Sequence, residues 1–170
     1  MGGGIKAEEH FKALKLVNGE ISGVRLIDHD GREKGMQPHE TAERGRLNRI
    51  CWSRYESESY LLHPASLAWF IHDRAGIDGA VAVRKFFENA FGSELHERFV
   101  EDPFAPPPLV ENYLKTTKAR TDILGGLLTA AGIHGMDYTQ FDEIAAVMKP
   151  DQIHPEVVEK LDFIQAAFGL

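Results

Sequence analysis

Val24-Arg25-Leu26-Ile27-Asp28-His29-Asp30-Gly31-Arg32 is the stretch on which the fold turns. An apolar run ends in two carboxylates one residue apart, then a glycine and a cation. Side chains alternate along a strand, so Asp28 and Asp30 point the same way from its end. Like charges held that close repel unless one binds a proton or a cation bridges them. Mg²⁺ suits such a pair, because it accepts one or two carboxylates and keeps waters that a phosphate can displace. The sharp reading is a divalent-metal site at the carboxyl end of a parallel strand. The plain reading is a turn, since Asp-Gly ends many ordinary strands.

Working outward, Ile21 to Asp28 is expected as a strand, and the Val24, Leu26, Ile27 run implies burial on both faces, as in a parallel sheet. Upstream, Ile5 to Val17 has helical spacing, with Ile5, Phe11 and Leu14 on one side, and Asn18-Gly19 stops it. Downstream come a polar loop from Gly31 to His39, a short helix over Glu40 to Leu47, and a second strand, Arg49-Ile50-Cys51-Trp52-Ser53. A strand, a crossover and a parallel strand form a right-handed unit, and open parallel sheets place their sites outside the carboxyl ends of the strands. The first strand ends at Asp28 and Asp30, the second at Arg54, Glu56 and Glu58. Both acidic clusters are therefore expected on one edge, which raises the metal reading above the turn.

The remainder of the chain reads as helical. Pro64 opens a helix with Leu67, Ala68, Phe70 and Ile71 on its core face, and Asp78 caps a longer one running through Val83, Phe87 and Phe91 to Phe99. Asp102-Pro103-Phe104-Ala105-Pro106-Pro107-Pro108 is a stiff linker. Three further helical segments follow: Leu109 to Ala131, Tyr138 to Met148, and Pro155 to Phe168. The last has Val157, Leu161, Ile164 and Phe168 as its apolar stripe. The expected organisation is an α/β unit over 1–63 and an all-helical region over 64–170.

Composition narrows the class. The 170 residues are 43% hydrophobic and 26% charged, an ordinary globular balance with enough chain for a core. No apolar run approaches the roughly 20 residues that span a bilayer. Met1-Gly2-Gly3-Gly4 lacks the apolar and cleavage regions of a secretory signal, and the single cysteine, Cys51, excludes an internal disulfide. A cytoplasmic location with no membrane partner is expected. The net charge of −7 argues against broad electrostatic binding to nucleic acid. The charge is uneven, however: Arg25 to Arg54 holds seven Lys/Arg against five Asp/Glu, so this segment is cationic while the rest is strongly acidic. A small phosphate-facing site in that segment is compatible with an acidic surface elsewhere.

Trp52-Ser53-Arg54-Tyr55-Glu56-Ser57-Glu58-Ser59-Tyr60-Leu61-Leu62-His63-Pro64 carries a family likeness. With the Asp-x-Asp element at Asp28 and Asp30, it resembles the TOPRIM-type region that follows the ATPase domain in overcoming-lysogenization-defect (OLD) nucleases and related ABC/AAA-type ATPases. There an acidic strand precedes an Arg-x-Glu-Ile-Glu-Asn-Tyr-Leu-Leu-like segment. Glu56 and Glu58 match its two glutamates, and Tyr60-Leu61-Leu62 its tail. The ending Gln152-Ile153-His154-Pro155-Glu156-Val157-Val158-Glu159-Lys160-Leu161-Asp162 also looks like the C-terminal helix of such chains.

The resemblance implies a partial TOPRIM-like parallel sheet followed by a helical half, taken from a metal-dependent nuclease acting on DNA phosphodiesters. It implies Mg²⁺ or Mn²⁺ held by Asp28 and Asp30 with Glu58, Glu56 or Glu58 completing the shell or acting as general base, and Arg32 and Arg54 neutralising phosphoryl charge. DNA and an ATPase domain or subunit encoded upstream are the implied partners. The chain also departs from the pattern. Ser57 and Ser59 replace the motif's Ile and Asn, this sequence is expected to start after the family's leading glutamate strand, and it holds no Gly-x-x-x-x-Gly-Lys-[Ser/Thr] loop, so ATP hydrolysis by this chain is not expected. The competing expectation is a non-catalytic interaction or regulatory module that binds a partner ATPase or forms a homodimer. An Asp-nucleophile phosphotransferase fits worse, since Arg32 occupies the position of its Thr or Val. The eight histidines give no zinc spacing with a carboxylate partner and read as surface or capping residues. Lys115, Lys118 and Lys149 are undistinguished candidates for an electrophilic lysine, and Cys51 reads as a small core residue.

Overall fold

The apolar run at Gly23–Ile27 (β1) pairs in parallel with Leu47–Cys51 (β2), in the register Gly23↔Leu47 to Ile27↔Cys51. The computed structural model describes residues 6–29 and 42–170. Trp52 N–H donates to the Ile27 carbonyl at 3.0 Å and carries the ladder one step past β2. The register places Arg25 directly beside Arg49. Two cations so paired repel, and Glu8 on the helix Ala7–Val17 (α1) relieves them, with Oε1 at 2.5 Å from Arg25 and 3.1 Å from Arg49. Gly23 allows α1 to approach: a Cβ there would sit 2.9 Å from the Phe11 ring. Asn48 and Ile50 are buried on the alternate positions of β2. The Asn48 amide accepts from Glu43 N–H at 2.8 Å and donates to the carbonyls of Glu43 at 2.8 Å and Gly23 at 3.3 Å, so this buried polar group is satisfied.

Contacts divide the chain into two units. Among the described residues the first comprises 6–28, 42–52 and 156–170, and the second 29 and 53–155. The second unit is helical. After a 3₁₀ turn at Ser57–Leu61 come Pro64–Ala75 (α2), Gly79–Phe91 (α3), Ser93–Glu101 (α4) and Pro108–Thr116 (α5). A π-helical turn at Ala119–Leu124 runs into Gly125–Ala130 (α6), and Asp142–Ala146 (α7) follows. Pro155–Phe168 (α8) begins at the end of this unit and contributes the last stretch of the first.

Asp78 starts α3 by accepting from Val81 N–H at 3.1 Å, and Gly76 ends α2 in the left-handed conformation (φ 65°). Phe70, Phe87, Phe99, Leu114, Ile123, Leu124 and Leu127 are buried in one continuous core. Phe87 is its aromatic centre, edge-on to Phe86 and Phe99 and stacked on Phe91, with centroids 5.5 Å apart in each case. Such pairs contribute about 0.5–1.5 kcal/mol beyond the area they bury.

The described residues thus form a mixed chain of two parallel strands and eight α-helices, mostly helical. Several local expectations give way. All five β1 residues remain partly exposed, because a two-stranded sheet covers less than the double layer implied by Val24-Leu26-Ile27. Residues 42–46 are turn and loop rather than helix, and Leu47 already belongs to β2; residues 40 and 41 lie outside the described residues. The long helix begun at Asp78 breaks at Gly92, whose φ of 90° suits glycine. The segment Leu109 to Ala131 is split by an extended Thr117 and by the π-helical turn. On α8 the expected stripe is not the buried one: Leu161 and Phe168 are about half exposed, and Ala167 is buried. The expected boundary between 63 and 64 also differs from the contact division, which cuts between Trp52 and Ser53 and returns α8 to the strands.

Candidate functional site

Parallel pairing puts the carboxyl ends of β1 and β2 on one edge, with Ile27 opposite Cys51. Asp28 follows β1 directly and is half-buried in the first unit. Asp30 and Arg32 lie outside the described residues. Arg54, Glu56 and Glu58 belong to the second unit, where they take part in a network of their own.

Arg54 is only 4% exposed. Its Nη2 donates to Glu111 Oε2 on α5 at 3.0 Å and its Nη1 to the Ser59 carbonyl at 3.3 Å. The guanidinium lies 5.4 Å over the Tyr60 ring, whose hydroxyl accepts from Arg54 N–H at 3.3 Å. Lys115 approaches the other oxygen of Glu111 at 3.5 Å, one helical turn along. The sequence-based role for Arg54, charge neutralisation on a phosphoryl group, requires an accessible guanidinium. Here it is enclosed, with Nε lacking any hydrogen-bond partner among the described residues.

Glu56 and Glu58 converge on a residue that the sequence did not single out, Arg120. Glu56 is 8% exposed, and its Oε2 accepts from the Arg120 backbone N–H at 3.0 Å. Glu58 Oε1 accepts from Arg120 Nε at 3.0 Å and lies 3.0 Å from Nη2. The Arg120 guanidinium in turn lies 4.9 Å over the Tyr138 ring. The physical reason lies in the π-helical turn. Its first N–H groups lack helical partners, and Lys118, at its N-cap, supplies no side-chain bond. The Glu56 carboxylate fills that role from 64 positions away in sequence, at the helix end where negative charge is favoured.

The second stretch that carries the family likeness meets the first. The His154 ring sits edge-on to Tyr60 at 5.1 Å and to Phe104 at 5.7 Å, and Gln152 Oε1 accepts from Ser66 Oγ at 2.9 Å. His63 stands 5.8 Å from Phe104, and burial lowers its pKa, with Asp151 acting in the opposite sense. His96 also departs from the surface role expected for the histidines: it is 6% exposed, and burial lowers its pKa. Cys51 is part-buried on β2.

A Mg²⁺ or Mn²⁺ shell needs carboxylate oxygens that face one another with no cation between them. Glu56 and Glu58 are instead gathered around a guanidinium and a backbone donor, an arrangement suited to joining elements and poorly suited to ligating a divalent ion. Among the described residues no group of three His, Cys, Asp or Glu is disposed to hold a metal. A comparison of the chain with protein-family models, curated proteins and solved structures finds no match.

Arg120 and Glu111 were missed because nothing local marks them. Each is an ordinary charge on a helical segment until the distant motif is folded against it. The spacing of Glu111 and Lys115 was the one available signal, and it reports only a pair along a helix face.

Proposed function

We propose that this chain is a non-catalytic interaction or regulatory module, derived from the TOPRIM-like region of an ATPase-nuclease that acts on DNA. The observation that carries the proposal is the commitment of Arg54, Glu56 and Glu58 to Glu111 and Arg120. In this reading the motif's charges organise the helical unit and leave no acidic cluster for phosphodiester chemistry among the described residues. The partner is an ATPase domain or subunit. Trp69 supports a contact role: it stands 54% exposed on α2, between the buried Leu67 and Phe70, and tryptophan is enriched where protein partners bury surface.

A second reading is favoured by one placement. Asp28 directly follows a parallel strand, at the edge where open parallel sheets bind ligands, so a divalent ion held there by Asp28 and Asp30 is the form a retained nuclease site would take. Plasmid nicking in Mg²⁺ and in Mn²⁺ separates the two. The module reading expects no nicking and identical titration heats for wild type and Asp28→Asn. Metal-dependent nicking that disappears in Asp28→Asn establishes the nuclease reading and overturns the first.

A further inference from the structure

A cleft of about 590 Å³ opens between α2, α3 and α4, inside the range of roughly 300–1,000 Å³ typical of small-molecule sites. Its walls are mostly apolar and short: Ala65 and Ala68 from α2, Val81 from α3, Val100 from α4. The alanines make the concavity, and Gly79 sets how closely its walls approach. A Cβ at Gly79 would lie 1.8 Å from the Ala68 carbonyl oxygen, so the backbones of α2 and α3 touch beside the cleft.

Three polar residues line this apolar surface, and they differ in what they can offer. Asp78 is engaged as the cap of α3. Arg84 is exposed and forms no ion pair with any described residue. His96 is more than nine-tenths buried, and neither of its ring nitrogens has a hydrogen-bond partner among the described residues. Leaving buried polar groups unpaired is costly, so this wall holds an imidazole whose hydrogen-bonding capacity the described residues do not use. Its ring is stacked on Phe87, 6.5 Å away and 21° from parallel, which keeps it in the wall.

We propose that this cleft binds a small aliphatic carboxylate, its chain along Ala65, Ala68, Val81 and Val100, its acid group on Arg84, and His96 as the polar group of the floor. The charges select this class. Among the lining residues one guanidinium stands against one carboxylate, Asp78, and Glu88 and Glu97 lie near His96, so the cleft has too little positive charge for a phosphate dianion. A planar guanidinium matches a carboxylate in shape as well as in charge. The alkyl part supplies the affinity by leaving water for the apolar wall.

Octanoate is the probe, with 1-octanol as its neutral counterpart, and binding to the full chain is read by calorimetry and by the ring resonances of His96. Octanoate is expected to bind saturably, at least tenfold more tightly than octanol, and to shift the His96 signals. Arg84→Gln, an exposed change, is expected to remove the preference for the acid while octanol binding persists. Val100→Trp places a large ring at the mouth and is expected to weaken both ligands at least tenfold. Equal affinity for acid and alcohol in wild type overturns the role of Arg84. Octanoate binding that leaves the His96 resonances unmoved, or no octanoate binding at all, overturns the site. Arg84→Gln alone decides the matter should Val100→Trp fail to fold.

Discussion

Replacing Arg54 by methionine keeps much of the stem's volume and removes the charge that joins the acidic motif to α5. The structure permits an estimate of the loss. The charge-assisted bond to Glu111 is worth about 1.5–3 kcal/mol, at the lower end because the Glu111 side chain is a quarter exposed and retains Lys115. The contact over Tyr60 adds about 0.5–2 kcal/mol. Removing a guanidinium whose Nε is buried without a partner returns part of this, about 1 kcal/mol. A net destabilisation of about 2 kcal/mol results, or a fall in Tm of roughly 4–8 °C for a chain of this size. Glu111→Gln should destabilise at least as much, because it leaves Arg54 charged, enclosed and without its anion. Urea denaturation followed by circular dichroism, run as a double-mutant cycle, should give a coupling of about 1–2 kcal/mol between the two positions. A coupling near zero, with Arg54→Met costing less than about 0.5 kcal/mol, would refute the view that this arginine is structural and return it to the phosphate-binding role.

Other substitutions and conditions probe the same architecture. Phe87→Ala removes the centre of the aromatic cluster and should cost about 3–5 kcal/mol by chemical denaturation. Gly79→Ala drives a methyl into the Ala68 carbonyl, whereas Gly76→Ala meets open space and bears only the left-handed backbone penalty of about 1–2 kcal/mol. The first should therefore unfold the protein at a clearly lower urea concentration than the second. Burial holds the pKa values of His63 and His96 below the ordinary histidine value of 6.5, despite Asp151 near the first and Glu88 and Glu97 near the second, with Arg84 reinforcing the effect at His96. The unfolded chain then binds more protons than the folded one as pH drops through 6.5, so stability is retained above that pH and lost on acidification. Thermal melts between pH 7.5 and 5 should show this fall, and His96→Leu should reduce its slope.

The parts of this fold that could be read from sequence are those set by neighbouring residues. Val24-Arg25-Leu26-Ile27 and Arg49-Ile50-Cys51 are short, β-prone and separated by polar chain, and they pair in parallel. Asp78 before an apolar-periodic run, and Pro64 at the first position of α2, specify helix starts by local hydrogen bonding and fixed φ. What escaped reading depended on distant partners. The π-helical turn takes its cap from Glu56, and Gly92 breaks a helix whose apolar spacing continues through it to Phe99. For the candidate site, the sequence drew attention to Arg54, Glu56 and Glu58 as a set; Glu56 and Glu58 do share one partner, Arg120, while Arg54 is bound to Glu111. It could not supply Arg120 or Glu111, and without those partners a buried structural cation looks the same as a catalytic one. Asp28 stands at the strand end where it was expected, while Asp30 and Arg32 lie outside the described residues.

The first unit draws on three separate pieces of chain, and one of them, 156–170, is made only after the whole of 53–155. During synthesis β1 and β2 must therefore wait through the making of an entire helical body before α8 reaches them, and the helical body can finish first. A nonsense codon just after Pro155 would on this account leave the helices standing and damage the strands, an injury felt more than a hundred residues upstream of the lesion.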